Sequence, residues 1–292
     1  MGNTTERQRP DVAVSIVAHR TPPAQFAAAL ASILRSEAVA RVDIIDNSPD
    51  DSLRSHIGEA AGGDRRVGYR HVENRGYGAG HNISMRESLE AGTDYHLVMN
   101  ADVRWEGDVI GRMVELMESN PPVGLSMPRV RYPDGTLQYA CRMLPTPFDV
   151  FAKRFLPKRF TARRMERYLL ARADHSRSFP VPYLLGSFLF FRTDALRECG
   201  LFDERFFMYP EDIDISRRIH ARRGCLYFAG AEIIHDHAAA SRKSTKMLRI
   251  HIVNMIRYFN KWGWIFDRQR RKMNARLLAE LPLADRPEPG RG

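Results

Sequence analysis

The stretch Val12-Ala-Val-Ser-Ile-Val-Ala18 is an apolar run rich in β-branched residues. Such a run predicts a buried β-strand. Similar runs follow at 42–45, 67–72 and 95–99, with helical patterns between them. Strands that alternate with helices at intervals of about 30 residues are typical of a mainly parallel sheet with right-handed crossovers. The pattern therefore predicts an α/β fold.

Polar residues follow several of these strands. Asp46 and Asn47 come directly after the second run, a glycine-rich segment at 76–80 follows the third, and Asp102 follows the fourth. Ligands of parallel α/β sheets bind beyond the carboxyl ends of the strands. We therefore expect these three segments to border one binding cleft.

Length and charge exclude several classes of protein. The chain has 292 residues, 43% of them hydrophobic, which excludes a disordered or low-complexity protein. Its net charge of +10 is concentrated in residues 153–177 and 242–276, which carry +7 and +10. The remainder sums to −7, so two basic surfaces belong to a mildly acidic body. Basic surfaces attract nucleic acid, anionic lipid or phosphorylated substrates.

Targeting signals and cysteine motifs are absent from the sequence. The three cysteines form no CxxC pair, and the polar first residues do not resemble a signal peptide. The longest uncharged stretch, 178–191, has 14 residues and two prolines, too short and too interrupted to cross a bilayer. We expect a cytoplasmic protein, soluble or peripheral on a membrane.

The remaining chain is less regular. Residues 148–177 predict a basic helical insertion, and residues 211–223 have the apolar spacing of a helix. Residues 247–266 predict an amphipathic helix, and the tail from 281 is rich in proline, glycine and charge, which predicts a loose segment.

Four residues are candidates for catalysis or metal binding. Asp102 after a strand suits a divalent cation, although an aspartate in a turn or at a helix N-cap is the simpler explanation of this residue taken alone. Glu211 and Asp212 open a helix, where acids complement the helix dipole, but the aromatic run before them suits a carboxylate of raised pKa acting as a general base. His235 is compatible with a structural role or with a metal ligand.

Seven motifs in order resemble family 2 glycosyltransferases, in particular the bacterial rhamnosyltransferase-like branch. The resemblance covers roughly residues 10–240 and implies a GT-A fold, with a Rossmann-like, mainly parallel central sheet flanked by helices and a C-terminal helical extension. The motifs begin with Val14-Ser-Ile-Val17, Asp46-Asn-Ser48, Asn74-Arg-Gly-Tyr-Gly-Ala-Gly-His-Asn82 and Met99-Asn-Ala-Asp102. They continue with Leu185-Gly-Ser-Phe-Leu-Phe-Phe-Arg192, Gly200-Leu-Phe-Asp-Glu-Arg-Phe-Phe207 and Glu211-Asp-Ile-Asp214, followed by His235.

The resemblance implies a division of the chain. A glycosyltransferase domain would occupy 1–240, with a nucleotide-sugar half at 10–128 and an acceptor half at 129–240 that contains the insertion 148–177. Residues 241–292 would form the basic amphipathic helix and the loose tail.

The resemblance also implies roles for single residues. Asp212 matches the catalytic base, with Glu211 as the fallback, and Asp102 and His235 match ligands of Mg²⁺ or Mn²⁺. Asn100 replaces the first acid of the family's DxD-type motif, which makes metal dependence less secure than in relatives that keep it. Donor or substrate contacts are implied for Asp46, Asn47, Arg75, Gly76, Gly80, Asn82, Asn100 and Gly186.

The implied reaction is inverting, metal-dependent sugar transfer. The base takes a proton from the acceptor hydroxyl while the nucleoside diphosphate leaves from the opposite face of the sugar. The leading expectation is L-rhamnose transfer from dTDP-L-rhamnose to a polyprenyl-diphosphate-linked saccharide, in the synthesis of O-antigen lipopolysaccharide or capsule. A UDP-sugar donor and a non-catalytic scaffold or lectin remain the alternatives.

The basic surfaces then predict attachment to the inner face of the cytoplasmic membrane. An apolar stripe at 246–266 would contact the anionic surface, pack on the domain or form a homodimer. Its members are Leu248, Ile252, Met255, Ile256, Phe259 and Ile265. Nucleic acid is not expected as a partner, because the basic windows lack a helix-turn-helix or RNP pattern.

Overall fold

The four strands that the sequence predicted form one half of the central sheet in the computed structural model, which describes residues 10–155, 158–236 and 245–291. They are β1 (Val12–Ala18), β2 (Val39–Asp46), β3 (Val67–His71) and β4 (Tyr95–Asn100). Strand β1 lies between β2 and β4 and is parallel to both, and β3 extends the sheet beyond β2. The carboxyl ends of these strands therefore share one edge, as the sequence predicted.

Strands of mixed direction continue the sheet beyond β4. They are β5 (Val103–Arg104), β6 (Leu125–Arg131), β7 (Leu137–Gln138), β9 (Phe179–Pro180), β11 (Phe188–Arg192), β12 (Cys225–His235) and β13 (Gly290–Arg291), while β8 (Cys141–Arg142) and β10 (Tyr183–Leu184) form a separate pair. Strand β11 runs antiparallel between β4 and β6, and β12 runs parallel to β6 and antiparallel to β5. The α/β prediction is confirmed, with a mixed second half.

Helices pack on the sheet through apolar side chains. They are α1 (Pro23–Leu34), α2 (Leu53–Ala61), α3 (Tyr77–Ala91), α4 (Val109–Ser119), α5 (Pro147–Phe155), α6 (Lys158–Tyr168), α7 (Thr193–Cys199), α8 (Glu211–Arg222), α9 (Thr245–Trp262) and α10 (Arg268–Glu280). In α1, Phe26, Leu30 and Ile33 are fully buried at helical spacing, and proline opens the first turn. None of the helices in the described residues combines the length and apolar character that a bilayer crossing requires.

Two C-terminal helices pack on the body of the protein. Met255 and Phe259 of α9 are buried in a second apolar cluster that also contains Phe206. At the start of α10, Asp267 forms a buried two-point ion pair with Arg217 of α8, with nitrogen–oxygen distances of 2.6 and 2.7 Å. The apolar stripe predicted at 246–266 is therefore divided, because its inner members belong to the core.

The tail is ordered, which corrects the expectation of a loose segment from 281. Strand β13 pairs in parallel with β7, and Glu288 forms an ion pair with Arg131. Arg291 adds a second ion pair, to Asp134. Backbone pairing supplies hydrogen bonds that the composition of a segment does not reveal.

Two histidines lie buried between β1, β4 and α3. The Ser15 hydroxyl lies 2.7 Å from His81 Nδ1 and 2.9 Å from His96 Nε2, and Ser88 lies 2.8 Å from His96 Nδ1. Burial lowers the pKa of His96 to about 3 and lowers that of His81 well below its usual value. Both imidazoles are therefore neutral in the folded protein at neutral pH.

Stability should fall as the pH drops below about 6.5, because the unfolded chain then binds protons that the folded chain excludes. Each of the two histidines should cost about 1 kcal/mol of unfolding free energy between pH 6.5 and 5.5. Urea unfolding at several pH values measures this slope. His96→Gln should reduce the slope, whereas His56→Gln, at an exposed position, should keep it. An unchanged slope in His96→Gln would contradict the assignment.

Candidate functional site

A cleft lies at the carboxyl ends of β1, β2 and β3. Its walls enclose a cavity of about 380 Å³ lined by His19, Asn47, Ser48, Pro49, His71, Val72, Glu73 and Asn74. Parallel α/β sheets bind ligands at this edge. The cavity is thus the structural candidate for one end of an extended substrate site.

Asp46 shapes this cavity from beneath. Its buried carboxylate accepts hydrogen bonds from the Tyr69 hydroxyl at 2.6 Å and from the Ser48 backbone N–H at 2.9 Å. Asn47 lines the cavity, and its buried Oδ1 has no hydrogen-bond partner within the described residues. A buried polar atom without a partner is available to a ligand. Of these two expected donor contacts, the geometry supports Asn47 more directly than Asp46.

The glycines at 76–80 allow close packing between neighbouring segments of the cleft. Helix α3 begins at Tyr77, so Gly78 and Gly80 lie within it. A Cβ atom at Gly80 would lie 2.7 Å from Val17 Cγ2, and one at Gly76 would lie 2.3 Å from the Phe207 carbonyl oxygen. Gly76 also has φ of 107°, which side chains disfavour. These glycines therefore permit contact between cleft segments.

Asn82 and Arg75 differ in their surroundings. The buried Asn82 amide donates to the Phe202 carbonyl and to Glu204, and accepts from the Phe202 backbone N–H, at 2.9 to 3.0 Å. Through these hydrogen bonds the Asn82 amide holds the segment after α7 in place. The geometry therefore does not support the expected contact between Asn82 and the sugar-nucleotide donor. Arg75 is exposed beside the cleft and remains accessible to a ligand.

Asp102 and His235 come together at the next strand ends. Pairing of β5 with β12 places His235 opposite Val103, the neighbour of Asp102. Asp102 Oδ1 lies 3.3 Å from His235 Nε2, and Gln138 Oε1 lies 2.9 Å from His235 Nδ1. If Nδ1 donates to Gln138, the Nε2 lone pair faces the Asp102 carboxylate. This is the arrangement by which a second residue orients a metal-ligating histidine.

These two side chains fit a divalent cation bound jointly with a ligand. Adjacent ligand atoms of one octahedral Mg²⁺ lie about 3 Å apart, close to the distance between Asp102 and His235. The described residues contain no group of three or more such side chains, so the remaining ligands would come from substrate oxygens and water. Asp102 and His235 would hold such a cation together with substrate oxygens, and Gln138 would orient the histidine.

Asp212 occupies the opposite side of the cleft at the start of α8. Its Oδ2 accepts from the Gly186 backbone N–H at 3.0 Å and from the Tyr183 hydroxyl at 3.3 Å, and its Oδ1 accepts from Ile213. Burial raises the pKa of Asp212, while these hydrogen bonds and the nearby Arg142 charge oppose that rise. The carboxylate is therefore held in a fixed orientation and made more basic.

Glu211 has a different environment. Its side chain is buried, and its Oε2 has no hydrogen-bond partner within the described residues. Burial, together with the charge of Asp212, raises the pKa of Glu211 well above its usual value. Because Asp212 has donors around it and Glu211 Oε2 has none, we assign the negative charge of the pair to Asp212 and the proton to Glu211.

Hydrogen bonds connect the two sides of the cleft through Tyr77. Its hydroxyl lies 2.6 Å from the Gly186 carbonyl oxygen and 3.0 Å from Asn100 Oδ1. Asn100 Nδ2 lies 3.4 Å from His235 Nε2, and the Gly186 N–H binds Asp212. A continuous chain therefore runs from the candidate base to the candidate metal ligands.

Four residues of this site were missed by sequence reasoning. They are Tyr77, Gln138, Arg142 and Tyr183. Tyr77 stands inside the motif at 74–82, so a polar ring between two glycines of that motif was the available signal, whereas Tyr183 lies two residues before the motif at 185–192 and carries no signal of its own. Gln138 and Arg142 lie in an irregular segment that carries no such signal.

Comparison with solved structures shows the fold. The chain is similar to GalNAc-T7 bound to UDP, GalNAc and Mn²⁺, with a TM-score of 0.56 and 14% identity over 79% of this chain and 44% of that one. It is also similar to the mannosyltransferase PcManGT from Pyrobaculum calidifontis in complex with GDP-Man and Mn²⁺. That TM-score is 0.55, with 15% identity over 94% of this chain and 75% of that one. These likenesses confirm the GT-A fold.

Comparison with curated proteins gives a nearer likeness. The chain is 33% identical over 171 residues to N-acetylglucosaminyl-diphospho-decaprenol L-rhamnosyltransferase of two Mycobacterium tuberculosis strains, CDC 1551 / Oshkosh and H37Rv. The match covers 52% of this chain and 53% of the relative, so the chain spans about half the length of the curated relatives it matches.

A family description matches the sequence from β1 to the end of α7, and the match ends before Asp212 and His235. The model described as Glycosyl transferase family 2 matches residues 14–200, a segment that contains Asp46, Asp102 and Gly186. The match extends over more than half of the chain and includes most of β1 and all of β2, β3 and β4. The chain therefore belongs to glycosyl transferase family 2.

Proposed function

We propose that this protein is an inverting, metal-dependent glycosyltransferase with Asp212 as its general base. The observation that carries the proposal is the hydrogen-bonded chain from Asp212 through Tyr77 to Asp102 and His235. Inverting transfer requires a base on the acceptor side of the sugar and positive charge on the diphosphate side. Asp212 at one end would be the base, and Asp102 and His235 at the other end would hold a cation that supplies the positive charge.

The protein's own residues would act as follows. Asp212 accepts the proton of the acceptor hydroxyl as its oxygen attacks the anomeric carbon, and the nucleoside diphosphate leaves from the opposite face. Gly186 and Tyr183 hold the carboxylate oriented throughout this step. Asp102 and His235 would hold the Mg²⁺ or Mn²⁺ whose charge offsets that of the leaving diphosphate.

We propose L-rhamnose as the sugar and dTDP as its carrier. The likeness to a curated L-rhamnosyltransferase supports the sugar, and the cavity beside Asn47 would receive the nucleotide. UDP sugars are the alternative, because similar structures contain UDP. The domain boundary at 240 and the use of Arg75 and Asn100 as donor contacts belong to the same proposal.

The acceptor would be a saccharide linked to a polyprenyl diphosphate. The curated relative's name includes a sugar on diphospho-decaprenol, which supports this class of acceptor. Such a substrate lies at a membrane, so the proposal places the enzyme at the inner face of the cytoplasmic membrane, in bacterial surface polysaccharide synthesis.

Replacing Asp212 and Glu211, one at a time, by the corresponding amides should separate their roles. Asp212→Asn should lower kcat by about 10²–10⁴-fold, because the proton acceptor is lost. Glu211→Gln should keep most of the activity, because an amide resembles the protonated acid in shape and charge. Transfer assays measure both, with nucleotide binding as the control for folding. Full activity in Asp212→Asn would move the base elsewhere.

The pH profile should report the same base. Activity should decline on the acid side as Asp212 becomes protonated, at a pH above the ordinary aspartate pKa of about 3.9, because burial raises the pKa of this carboxyl. The pH dependence of kcat for the wild type measures this limb. An apparent pKa for the acid limb below the ordinary aspartate value would contradict the assignment of Asp212 as the base.

The metal site should be visible in binding alone. Asp102→Ala should abolish the strengthening of dTDP binding by Mn²⁺ in calorimetry, and Gln138→Leu should weaken it by about 10–100-fold, since His235 loses its orienting partner. Asp194→Ala, an exposed acid on α7, serves as the control. Unchanged Mn²⁺-dependent binding in Asp102→Ala would refute the site.

The donor should be identified by thermal stabilisation. A ligand that binds only the folded state raises Tm by mass action. With Mn²⁺ present, dTDP and dTDP-L-rhamnose should raise Tm more than UDP compounds at equal concentration. A preference for UDP compounds would discard rhamnose and keep the reaction type. No shift with any nucleotide would favour the scaffold or lectin alternative.

A further inference from the structure

A groove with an apolar lining and a basic rim lies between α5, α6 and the two C-terminal helices. It encloses about 510 Å³ and is lined in part by Phe148, Trp264, Ile265 and Leu278, with Arg167 and Arg271 at its edge. We call it the Trp264 groove. None of the residues assigned to the catalytic site lines it.

Large apolar side chains at this groove are exposed to solvent. Ile265 is 66% exposed, and the adjacent Phe266 is 83% exposed. Both lie in the turn between α9 and α10, where Trp264 packs on Phe259 with ring centroids 5.2 Å apart. A rigidly supported turn that presents two consecutive large apolar residues to water indicates an interaction site.

The charged residues that line the groove are all arginines. Within the described residues, no acid forms an ion pair with Arg167 or Arg271, and both are exposed. Arg164 stacks on the Phe148 ring at 4.5 Å and pairs with Asp149. Exposed arginines next to apolar side chains match a surface that combines negative charge with a hydrocarbon interior.

The groove adjoins the acceptor side of the cleft. Met143 lines the groove and directly follows Arg142, whose charge acts on Asp212. The Met143 backbone N–H donates to the carbonyl of Tyr168, the last residue of α6. The segment that forms one wall of the groove thus continues into the surroundings of the candidate base.

We propose that the Trp264 groove and the turn at 264–266 dock this protein on an anionic lipid bilayer. Ile265 and Phe266 would enter the interface between headgroups and acyl chains, while Arg167 and Arg271 contact lipid phosphates. Lipid binding by this surface does not depend on the proposed function. Its use in presenting a lipid-linked acceptor to Asp212 does rest on that proposed function.

This surface shares Ile265 with the stripe considered in the sequence analysis, but it contains none of the stripe residues on α9. Met255 and Phe259 of that stripe are buried, and the most exposed large apolar residues of α9 are Ile256, a stripe member, at 38% and the neighbouring Val253 at 39%. They are less exposed than the residues of the turn. Matched double variants in the turn and on α9 should therefore differ in their binding to vesicles.

Flotation of the full chain with vesicles tests the proposal. Wild-type protein should bind vesicles of phosphatidylcholine and phosphatidylglycerol, and bind pure phosphatidylcholine at least about tenfold more weakly. Ile265→Ser/Phe266→Ser should weaken binding to the mixed vesicles by about tenfold or more. Val253→Ser/Ile256→Ser should bind as the wild type does.

A second pair of variants tests the charge. Arg167→Glu/Arg271→Glu should weaken binding to the mixed vesicles by about tenfold or more. Arg65→Glu/Arg112→Glu alters two exposed arginines elsewhere by the same net charge and should have a smaller effect. Circular dichroism melting confirms that each variant is folded.

Three results would overturn the proposal. They are wild-type protein that does not float with mixed vesicles, equal flotation of wild type and the Ile265→Ser/Phe266→Ser variant, and a dimer in sedimentation that this variant abolishes without changing flotation. The last result would assign the surface to a second copy of the chain. Because flotation needs neither donor nor acceptor, it is independent of the tests of sugar transfer.

Discussion

The arrangement of the cleft depends on the contacts of the Tyr77 hydroxyl, which join its two sides. The hydroxyl stands at the first residue of α3 and contacts both Asn100 at the end of β4 and the Gly186 carbonyl. Burial and the nearby carboxylates raise the pKa of Tyr77 well above its usual value, so the ring stays neutral and keeps its proton as a donor. The hydroxyl can contact both sides because Gly76 and Gly78 have no side chains. Their backbone therefore packs closely against Phe207 and Phe202, in the segment that leads into α8.

Much of the fold and part of the site could be predicted from the sequence, because they follow from topology. Once β2 and β4 are recognised as neighbours of β1 in a parallel sheet, the polar residues after them must meet at one edge. This reasoning placed Asp46 and Asp102 correctly in the fold without knowledge of any contact. The Glu211-Asp212 pair could likewise be placed at a helix start from its spacing alone.

The parts that could not be predicted depend on contacts between distant segments. Gln138 meets His235 across 97 residues of sequence, and Asn82 meets Phe202 across 120. Nothing in the local pattern around Gln138 distinguishes it from any surface glutamine. The same holds for the tail, whose composition predicts a loose segment although its backbone pairs with β7. Composition describes a segment by itself, whereas such contacts require two segments.

The buried pair of Arg217 and Asp267 makes the position of α8 depend on that of α10. Asp267 also caps α10 by accepting from the Arg270 backbone N–H, and Arg217 lies on the helix that begins with Glu211 and Asp212. The two partners are 50 residues apart. Removal of the Asp267 carboxylate would leave the buried Arg217 guanidinium without its counter-ion, and a buried charge in that state is costly. The helix that carries the candidate base is therefore stabilised by a residue at the start of α10, outside the cleft itself.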